Sequence, residues 1–424
     1  MSGSAAKIKV PRGTFDVLGE DAAARAAVES RARALLEGAG YERIETPAFE
    51  ATELFARGVG ASTDIVQKEM YTFADASQRS LTLRPEGTAP VCRAYVEHGM
   101  HKRRQPVKLW YLSSFFRHER AQAGRYRQFW QVGAEALGSE DPAVDAESIA
   151  LLAHLLGDLG VAPVRLRLSS LGSPAARAEY REQLQRHLRA HEDRLSQDVR
   201  ARIDLNPLRA FDSDHPATRA VLESAPLLRD FLVAEDAAHF AEVRAMLDAA
   251  GVPYELDPTL VRGLDYYTRT VFEFTSEKLG AQSGVGGGGR YDGLVEQLAG
   301  PPTPGMGWAA GIERILLAGP AAPPAAVAPD LFVAFEAVTE ARHAPRAAFV
   351  LLAEARAAGL TAQMELAGRS LKGQLSHANA LGARYVAILD PDGAAALKDM
   401  AAGDQRTLPA DAVVHAVLRA QHAL

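Results

Sequence analysis

The chain has 424 residues, 47% of them hydrophobic and 24% charged; these globular values exclude global disorder, and the length predicts two to four domains of about 100–200 residues. The single cysteine, Cys92, excludes an intrachain disulfide and a cysteine-rich zinc site. With no apolar signal core in residues 1–10 and no run of 18 apolar residues, we expect a cytoplasmic protein without a membrane span. The net charge of −6 argues against a nucleic-acid partner for the chain as a whole, so such a partner needs a local basic surface.

The first predicted elements are a helix and a hairpin. Ala22–Gly40 has the apolar spacing and the closing glycines of an amphipathic helix, with Asp21 as its predicted N-cap. Lys108–Phe116 and Arg125–Val132 are two strand candidates. The polar residues between them predict an antiparallel hairpin whose long loop carries arginines.

That hairpin lies in the most basic part of the chain. Between Arg84 and Gln131, ten Lys/Arg stand against three Asp/Glu, a local charge of +7. Arginine binds phosphate oxygens through a fixed fork of donors and does not lose its charge. The pattern therefore predicts a site for a triphosphate or an RNA end, with Phe129 stacking on a purine. A hairpin with a solvated charged tip is the alternative.

The following segments alternate between strands, helices and glycine-rich stretches. Residues from about 172 to 250 read as a helical insertion, with breaks at Asn206-Pro207 and His215-Pro216. The other predicted elements are a strand at Val164–Leu168, a strand at Val271–Thr275, a glycine-rich turn at Gly284–Gly289 where a ligand can approach the backbone, and a strand, glycine turn and helix within Gly305–Leu317.

A change of pattern marks a second domain. An Ala/Pro-rich linker, residues 321–329, precedes a small α/β domain at residues 330–424. Its predicted strands are Leu331–Phe335, Leu360–Met364 and Tyr385–Leu389, and its predicted helices are Ala344–Ala358 and Leu371–Leu381.

Three further motifs carry candidate binding residues. Glu86 and Thr88 can together accept hydrogen bonds from an ammonium group, although Thr88 also suits a helix N-cap. Arg262 is followed by Gly263 and by the pair Tyr266-Tyr267, which suits a cation with close backbone approach; two buried core tyrosines are the alternative. Arg314, early in a helix, suits a phosphate or a base, and a surface Glu-Arg pair is the alternative.

Taken in order, these segments resemble the class II aminoacyl-tRNA synthetases, and specifically the histidyl-tRNA synthetase family. Three of them resemble the motifs that define the class: Gly40–Pro47 the dimer-forming motif 1, Phe116–Glu119 with Arg125–Gln131 motif 2, and Gly305–Arg314 motif 3. Three others resemble features of the family: Arg262–Tyr267 its histidine-specific signature, Gly286–Tyr291 a second family block, and Leu366–Leu375 its anticodon-binding domain.

The resemblance implies a fold and an activity. The fold is an α+β catalytic domain on a mainly antiparallel sheet, residues 1–320 with the helical insertion, followed by an α/β anticodon-binding domain. The activity is that of a homodimeric histidine–tRNA ligase, which uses ATP as a substrate with Mg²⁺ carried on it. Its partners are L-histidine, ATP and tRNA.

The resemblance also implies residue roles. Arg117 and Arg262 would be catalytic. Histidine would contact Glu86, Gly87, Thr88, Gln131, Glu135, Tyr266 and Tyr267, and ATP would contact Arg117, Glu119, Arg125, Phe129 and Arg314. No metal is expected to be held by the protein alone.

Two departures and two alternatives remain. Trp130 and Ala121 stand where many relatives have histidine and proline. Residues 330–424 contain nine Lys/Arg against ten Asp/Glu, so this domain is not basic. Anticodon contacts there must therefore depend on local groups such as Arg369 and Lys372. One alternative is a non-catalytic paralogue that acts as a regulatory subunit of ATP phosphoribosyltransferase. The other is a class II synthetase for a different amino acid.

Overall fold

The computed structural model describes residues 7–60, 63–260, 263–280, 283–320, 328–336, 343–390 and 393–422. The chain divides into two compact units, Met1–Pro324 and Ala325–Leu424. The division falls within the predicted linker, of which residues 321–327 lie outside the described ranges. No helix in the described ranges is both long and apolar enough to cross a membrane.

The first unit combines strands and helices along its length. Its strands are β1 (Glu42–Arg43), β2 (Phe49–Ala51), β3 (Tyr71–Ala74), β4 (Ser80–Leu83), β5 (Val107–Phe116), β6 (Gln128–Leu137), β7 (Arg165–Ser170), β8 (Glu255–Leu256), β9 (Thr268–Thr275), β10 (Gly284–Arg290) and β11 (Gly305–Gly311). Its α-helices are α1 (Gly19–Gly38), α2 (Thr52–Gly58), α3 (Thr88–Glu97), α4 (Pro142–Asp158), α5 (Pro174–Ala190), α6 (Gln197–Arg202), α7 (Pro216–Leu222), α8 (Ala234–Ala249), α9 (Leu294–Gln297) and α10 (Ile312–Ala318). A π-helical turn spans Ile65–Glu69, and 3₁₀ turns span Met100–Lys102, Glu192–Arg194, Pro207–Asp212, Leu228–Phe231 and Glu277–Leu279.

A large sheet forms the centre of this unit. Its strand order is β1-β5-β6-β11-β10-β9-β7-β8. The pairs from β5 through to β7 are antiparallel, and only the edge pairs β1/β5 and β7/β8 are parallel. The predicted α+β fold on a mainly antiparallel sheet is therefore confirmed. A separate three-stranded antiparallel sheet has the order β2-β4-β3.

Hydrophobic residues cover both faces of the large sheet. Residues of α1, α4 and α8 pack in one apolar cluster, and residues of α3, α5, α6 and α7 pack in another. The strong β propensity of the aromatic segment β5 explains why its prediction is confirmed almost to the residue. The predicted N-cap of the first helix is wrong: α1 begins at Gly19 after Leu18, and Asp21 lies in the first turn, where its charge interacts favourably with the helix dipole.

Pro207 and Pro216, predicted to break the helical region, each begin a new helical segment. Between β7 and β8 the described chain forms the helices α5 to α8 and short 3₁₀ turns. Pro207 opens a 3₁₀ turn and Pro216 opens α7. Proline suits a first helical position because the N–H that it lacks would have no partner within the helix.

The glycine-rich turn predicted at Gly284–Gly289 is wrong, because these residues are part of β10, inside the large sheet. A Cβ added to Gly288 would lie 2.6 Å from Trp308 Cα, and one added to Gly289 would lie 2.9 Å from Tyr267 Cδ1. Glycine costs conformational entropy in a strand. Its use here follows from the close approach of neighbouring groups, which sequence spacing does not reveal. The glycine turn predicted within Gly305–Leu317 is likewise absent, since β11 leads directly into α10.

The second unit is a small α/β fold. Its strands are β12 (Leu331–Phe335), β13 (Ala362–Met364), β14 (Tyr385–Leu389), β15 (Ala394–Asp399) and β16 (Gln405–Pro409), and its helices are α11 (His343–Ala357), α12 (Leu371–Ala380), a 3₁₀ turn at Ala410–Ala412, and α13 (Val413–His422). The sheet order is β13-β12-β14-β15-β16, parallel in its first three strands and antiparallel in the rest. The three predicted strands and two predicted helices are present. Sequence analysis missed the alanine-rich β15, together with β16 and α13.

Two glycine-to-alanine changes should shift stability in opposite directions. Gly288→Ala forces a Cβ against backbone atoms of β11 and should cost the first unit about 2 kcal/mol or more of unfolding free energy. Gly157→Ala, late in α4 where no described group lies within 4 Å of the added Cβ, should stabilise it by about 0.5–1 kcal/mol. Denaturant unfolding measures both changes, and equal effects would contradict the close packing of β10 on β11.

Candidate active site

A buried carboxylate closes the loop before α3. Glu86 accepts hydrogen bonds from the backbone N–H groups of Thr88 at 2.8 Å and Ala89 at 2.9 Å. It thus satisfies two of the N–H groups that a helix start leaves without partners. The alternative of Thr88 as an N-cap is wrong, because Thr88 is the first residue of α3. Burial raises the pKa of Glu86, against these N–H donors and the charge of Arg117, which lower it.

A second carboxylate, Glu135, lies fully buried on β6. Its Oε1 accepts hydrogen bonds from the hydroxyls of Thr88 at 2.8 Å and Tyr111 at 3.4 Å. Its Oε2 accepts one from the hydroxyl of Tyr291 at 2.7 Å. Loss of solvent dominates over these three donors and, together with the charge of Glu86, raises the pKa of Glu135 to about 8. The site thus holds a carboxyl group that titrates near pH 8.

Glycines in the central strands make room for this polar cluster. Cross-strand pairing places Glu135 beside Gly307, and Gly307 beside Gly289, in one row on one sheet face. A Cβ on Gly307 would overlap the Glu135 carboxylate, and a Cβ on Gly289 would press on the Tyr267 ring. Glu135 and Tyr267 therefore lie over a strip of sheet that has no side chains of its own.

Glycines also enclose Tyr111. A Cβ on Gly87 or on Gly133 would lie within 2.7 Å of its ring atom Cε2. The tyrosine is thus held between the loop before α3 and the strand β6, with its hydroxyl directed at Glu135. Gly87, predicted as a binding residue, takes part in the site by admitting this ring.

Two more tyrosines complete this polar cluster, which together with the glycine strip forms a candidate pocket. Tyr266 and Tyr267 are both buried, with ring centroids 4.8 Å apart, and Tyr266 lies 5.8 Å from Tyr291. The hydroxyl of Tyr266 donates to Glu86 at 3.3 Å. Burial raises the pKa of Tyr266 well above its usual value, so this phenol remains a donor at neutral pH. The tyrosine pair is therefore both core and part of the polar cluster.

Arg117 lies beside this pocket at the end of β5. Its Nε donates to the carbonyl oxygen of Pro85 at 2.8 Å, one residue before Glu86. Its guanidinium lies 5.3 Å from the centre of the Phe129 ring, a cation–π distance. The side chain thus has a fixed direction while remaining partly exposed.

Further charged groups gather around Arg117. Arg125 Nε lies 3.3 Å from a carboxylate oxygen of Glu119, and Arg117 lies 3.8 Å from the other oxygen. Arg314 on α10 donates from Nε to the carbonyl oxygen of Gly124 at 3.1 Å. Burial lowers the pKa of Arg314, and the charges of Arg125 and Arg117 lower it further, although Glu119 and Glu273 act against this. Such a concentration of positive charge favours a bound anion.

The structure brings most of the predicted site residues together. Glu86, Gly87, Thr88, Glu135, Tyr266 and Tyr267 surround the pocket, and Arg117, Glu119, Arg125, Phe129 and Arg314 form the adjoining cluster. Gln131 is half-buried on β6, paired with Ser113 on one side and Gly311 on the other. Arg262 lies outside the described residues, so its predicted position stays a prediction.

Sequence reasoning missed two donors to Glu135. Tyr111 was read only as part of an aromatic strand, and Tyr291 only as the end of a glycine-rich block. A signal was present in each case, since a tyrosine among strand residues needs a partner for its hydroxyl when buried. The identity of that partner depends on strand pairing.

A family model and individual relatives place the chain in the same family. The model of the histidyl-tRNA synthetase family matches residues 13–315. The histidine–tRNA ligase of Desulforudis audaxviator is 49% identical over 416 residues, covering 97% of this chain and 99% of the relative.

Solved structures agree with this match. The apo histidyl-tRNA synthetase of S. aureus has a TM-score of 0.80 at 37% identity, covering 97% of this chain and 100% of that structure. A Bacillus halodurans structure described as an ATP phosphoribosyltransferase regulatory subunit/histidyl-tRNA synthetase has a TM-score of 0.64 at 23% identity, covering 87% of this chain and 96% of that structure. The latter likeness shows the fold alone.

Removing the charge of Glu135 should change how stability depends on pH. With its native pKa near 8 and an ordinary value of 4.5, the native state keeps a proton that the unfolded state releases. Stability is therefore lost as pH rises from about 4.5 to about 8. Glu135→Gln removes this loss, so its melting temperature relative to the wild type should rise between pH 5 and pH 8.5.

Glu140→Gln, at an exposed position, is the matched control and should follow the wild type at both pH values. Thermal unfolding by circular dichroism measures all three proteins. A Glu135→Gln difference that is the same at both pH values would contradict the raised pKa.

Proposed function

The chain belongs to the histidyl-tRNA synthetase family and has the activity of a histidine–tRNA ligase, and we propose that the glycine-floored pocket binds L-histidine while the adjoining arginines bind ATP. In the first step histidine and ATP form histidyl-adenylate and pyrophosphate. In the second step the histidyl group passes to the 3′ end of the tRNA.

One observation carries this assignment: the pocket and the arginine cluster meet at consecutive residues. Pro85 accepts the hydrogen bond of Arg117, and Glu86 directly after it lies in the pocket. An amino acid with its ammonium group at Glu86 would therefore present its carboxylate toward Arg117. That is the arrangement needed for a carboxylate to attack the α-phosphorus of ATP.

The pocket suits the two ends of histidine. Glu86, Thr88 and Gln131 supply acceptors for the ammonium group, since the Thr88 hydroxyl keeps lone pairs after donating to Glu135. Glu135 and Tyr267, which lie over the strip without side chains, supply partners for the two imidazole nitrogens, with Tyr266 beside them. A different side chain would leave buried polar groups unpaired, which makes discrimination strong.

The arginine cluster suits the triphosphate. Arg117 would contact the α-phosphate, Arg314 the γ-phosphate and Arg125 the phosphates between, while Phe129 would stack on the adenine with the ring face away from Arg117. Glu119 forms ion pairs with Arg117 and Arg125, so its carboxylate would orient both guanidinium groups toward a triphosphate that carries Mg²⁺. When bound, that ion would neutralise phosphate charge.

The chemistry follows from fixed positive charge. As the histidine carboxylate oxygen bonds to the α-phosphorus and pyrophosphate leaves, negative charge grows on the non-bridging oxygens. Arg117, and by family resemblance Arg262, would stabilise this transition state more than the ground state. The terminal ribose hydroxyl of the tRNA then attacks the activated carbonyl, loses its proton, and AMP leaves.

The remaining partners follow from other parts of the chain. In the second unit, Arg369 and Lys372 have exposed side chains near Leu366, which is 86% exposed, and we assign anticodon contacts to this region. On the three-stranded sheet, Phe49 and Phe73 are exposed with rings 6.2 Å apart, which supports a homodimer contact. A tRNA substrate makes the cytoplasm the proposed location.

The regulatory-subunit alternative lacks a supporting observation. Arg117 and Arg314 are both present at the site, and the 49% identical relative is a histidine–tRNA ligase matched over nearly its whole length. A synthetase for another amino acid would not be expected to combine Glu135 with this set of tyrosines.

Substitution of Arg117 tests the ATP half of the site. Arg117→Ala should slow histidine-dependent exchange of pyrophosphate into ATP by about 10²-fold or more, because a charge that acts in the transition state is lost. Arg104→Ala, at an exposed position of the same basic region, should keep exchange near the wild-type rate. Exchange should require histidine among the twenty amino acids. A folded wild-type protein without histidine-dependent exchange would refute the proposed function.

Substitution of Phe73 tests the homodimer. Phe73→Glu places a charge on the exposed aromatic pair, so it should convert the protein from twice the chain mass of 45.4 kDa toward the monomer. Light scattering after size-exclusion chromatography measures the mass. Lys102→Glu, exposed and outside the strands of the three-stranded sheet, is the control and should leave it unchanged, and a wild-type monomer would contradict the proposal.

A further inference from the structure

Residues Pro11–Phe15, before α1, lie against the arginine-bearing hairpin although no role described so far involves them. The backbone N–H of Arg127 donates to the carbonyl oxygen of Gly13 at 2.8 Å. The carbonyl oxygen of Arg127 in turn accepts from the backbone N–H of Arg117 at 3.0 Å. Three backbone segments are thus hydrogen-bonded in a row, from Gly13 through Arg127 to Arg117.

Two features of position 13 favour glycine there. Its φ is +86°, in the left-handed region that favours glycine. A Cβ at Gly13 would lie 2.7 Å from Cγ and 2.8 Å from Cδ of Arg127. These atoms are close to the Arg127 backbone, so the side chain cannot simply swing away. The turn itself is closed by Thr14, whose N–H and hydroxyl both donate to the Pro11 carbonyl oxygen.

Ring contacts extend the attachment on the other side. Phe15 lies 4.6 Å from Tyr126, centroid to centroid, and the guanidinium of Arg25 lies 5.5 Å from the Phe15 ring. Arg25 also forms an ion pair with Glu313 at 2.5 Å, next to Arg314. The segment therefore contacts the hairpin directly and the start of α10 through Arg25.

Resting on the function proposed above, we propose that Pro11–Phe15 is a positioning element for ATP, which fixes the backbone of Arg127 and through it that of Arg117. The segment itself touches no substrate in this proposal. Its effect is on the direction of the Arg117 guanidinium, which has its second anchor at the Pro85 carbonyl oxygen. Because misplacement of a catalytic group by about 1 Å can cost about 10²-fold in rate, a remote backbone contact can matter for chemistry.

A pair of glycine substitutions separates positioning from backbone strain. Gly13→Ala should raise the KM for ATP and lower the rate of pyrophosphate exchange, by about 10-fold to 100-fold in kcat/KM for ATP, with the KM for histidine within about twofold of wild type. The control is Gly359→Ala, at φ +87° with no described group within 4 Å of the added Cβ. It should lower the melting temperature through backbone strain alone and leave both KM values unchanged.

A second variant covers the case in which Gly13→Ala does not fold. Phe15→Ala removes a 40% exposed ring and its packing on Tyr126, and should raise the KM for ATP selectively by a smaller factor. Wild-type ATP kinetics in Phe15→Ala and in any folded Gly13→Ala would overturn the proposal, as would equal changes in the KM for ATP and for histidine.

The outcome also distinguishes this inference from the proposed function. If the wild type catalysed no histidine-dependent exchange, the proposed function would fail. ATP affinity measured by calorimetry on the same variants would then test the positioning role by itself: weaker binding in Gly13→Ala than in Gly359→Ala supports it, and equal binding refutes it.

Discussion

The burial of Glu135 is the constraint on which the site depends. A carboxyl group without solvent is stabilised only if hydroxyl donors reach it, and here three do, from Thr88, Tyr111 and Tyr291. Those donors come from α3, from β5 and from the residue after β10. The loop, the hairpin and the glycine-rich strands must therefore all be in place before the carboxyl group can be accommodated.

The glycines of the central strands follow from the same constraint. Gly307 and Gly289 lie in one cross-strand row with Glu135, and a side chain would overlap Glu135 at Gly307 and press on Tyr267 at Gly289. In an ordinary sheet this row would be packed with β-branched residues. The protein gives up that packing, and Glu135 and Tyr267 lie over the glycines instead, where they present the polar groups of the proposed imidazole site.

The arginines beside this site repel one another. The positive charges of Arg117 and Arg125 act against that of Arg314, while Glu119 and Glu273 favour it. A bound polyanion would relieve this repulsion. Because Arg117 is anchored next to Glu86, relief of the charge and correct placement of the amino acid occur at the same point, which is where the proposed bond forms.

Local sequence patterns determined many of the secondary-structure elements of this protein. The aromatic strand β5, the hairpin loop with its arginines, the proline-marked helices and the strand alternation of the second unit depend on nearby residues, so their existence could be predicted. The motifs Glu86–Thr88 and Arg262–Tyr267 also identified a family, because residue types at fixed spacing reflect a shared chemistry.

Only the tertiary structure decided the interior of the site. Gly284–Gly289 read as a turn, and pairing with β9 and β11 makes it a strand, since a glycine has no side chain to indicate what lies against it. Tyr111 and Tyr291 meet Glu135 only through strand register, and Gly13 meets Arg127 across more than a hundred residues. Sequence spacing therefore determined which groups were present, and the packing of distant segments decided which of them share a hydrogen bond or a charge.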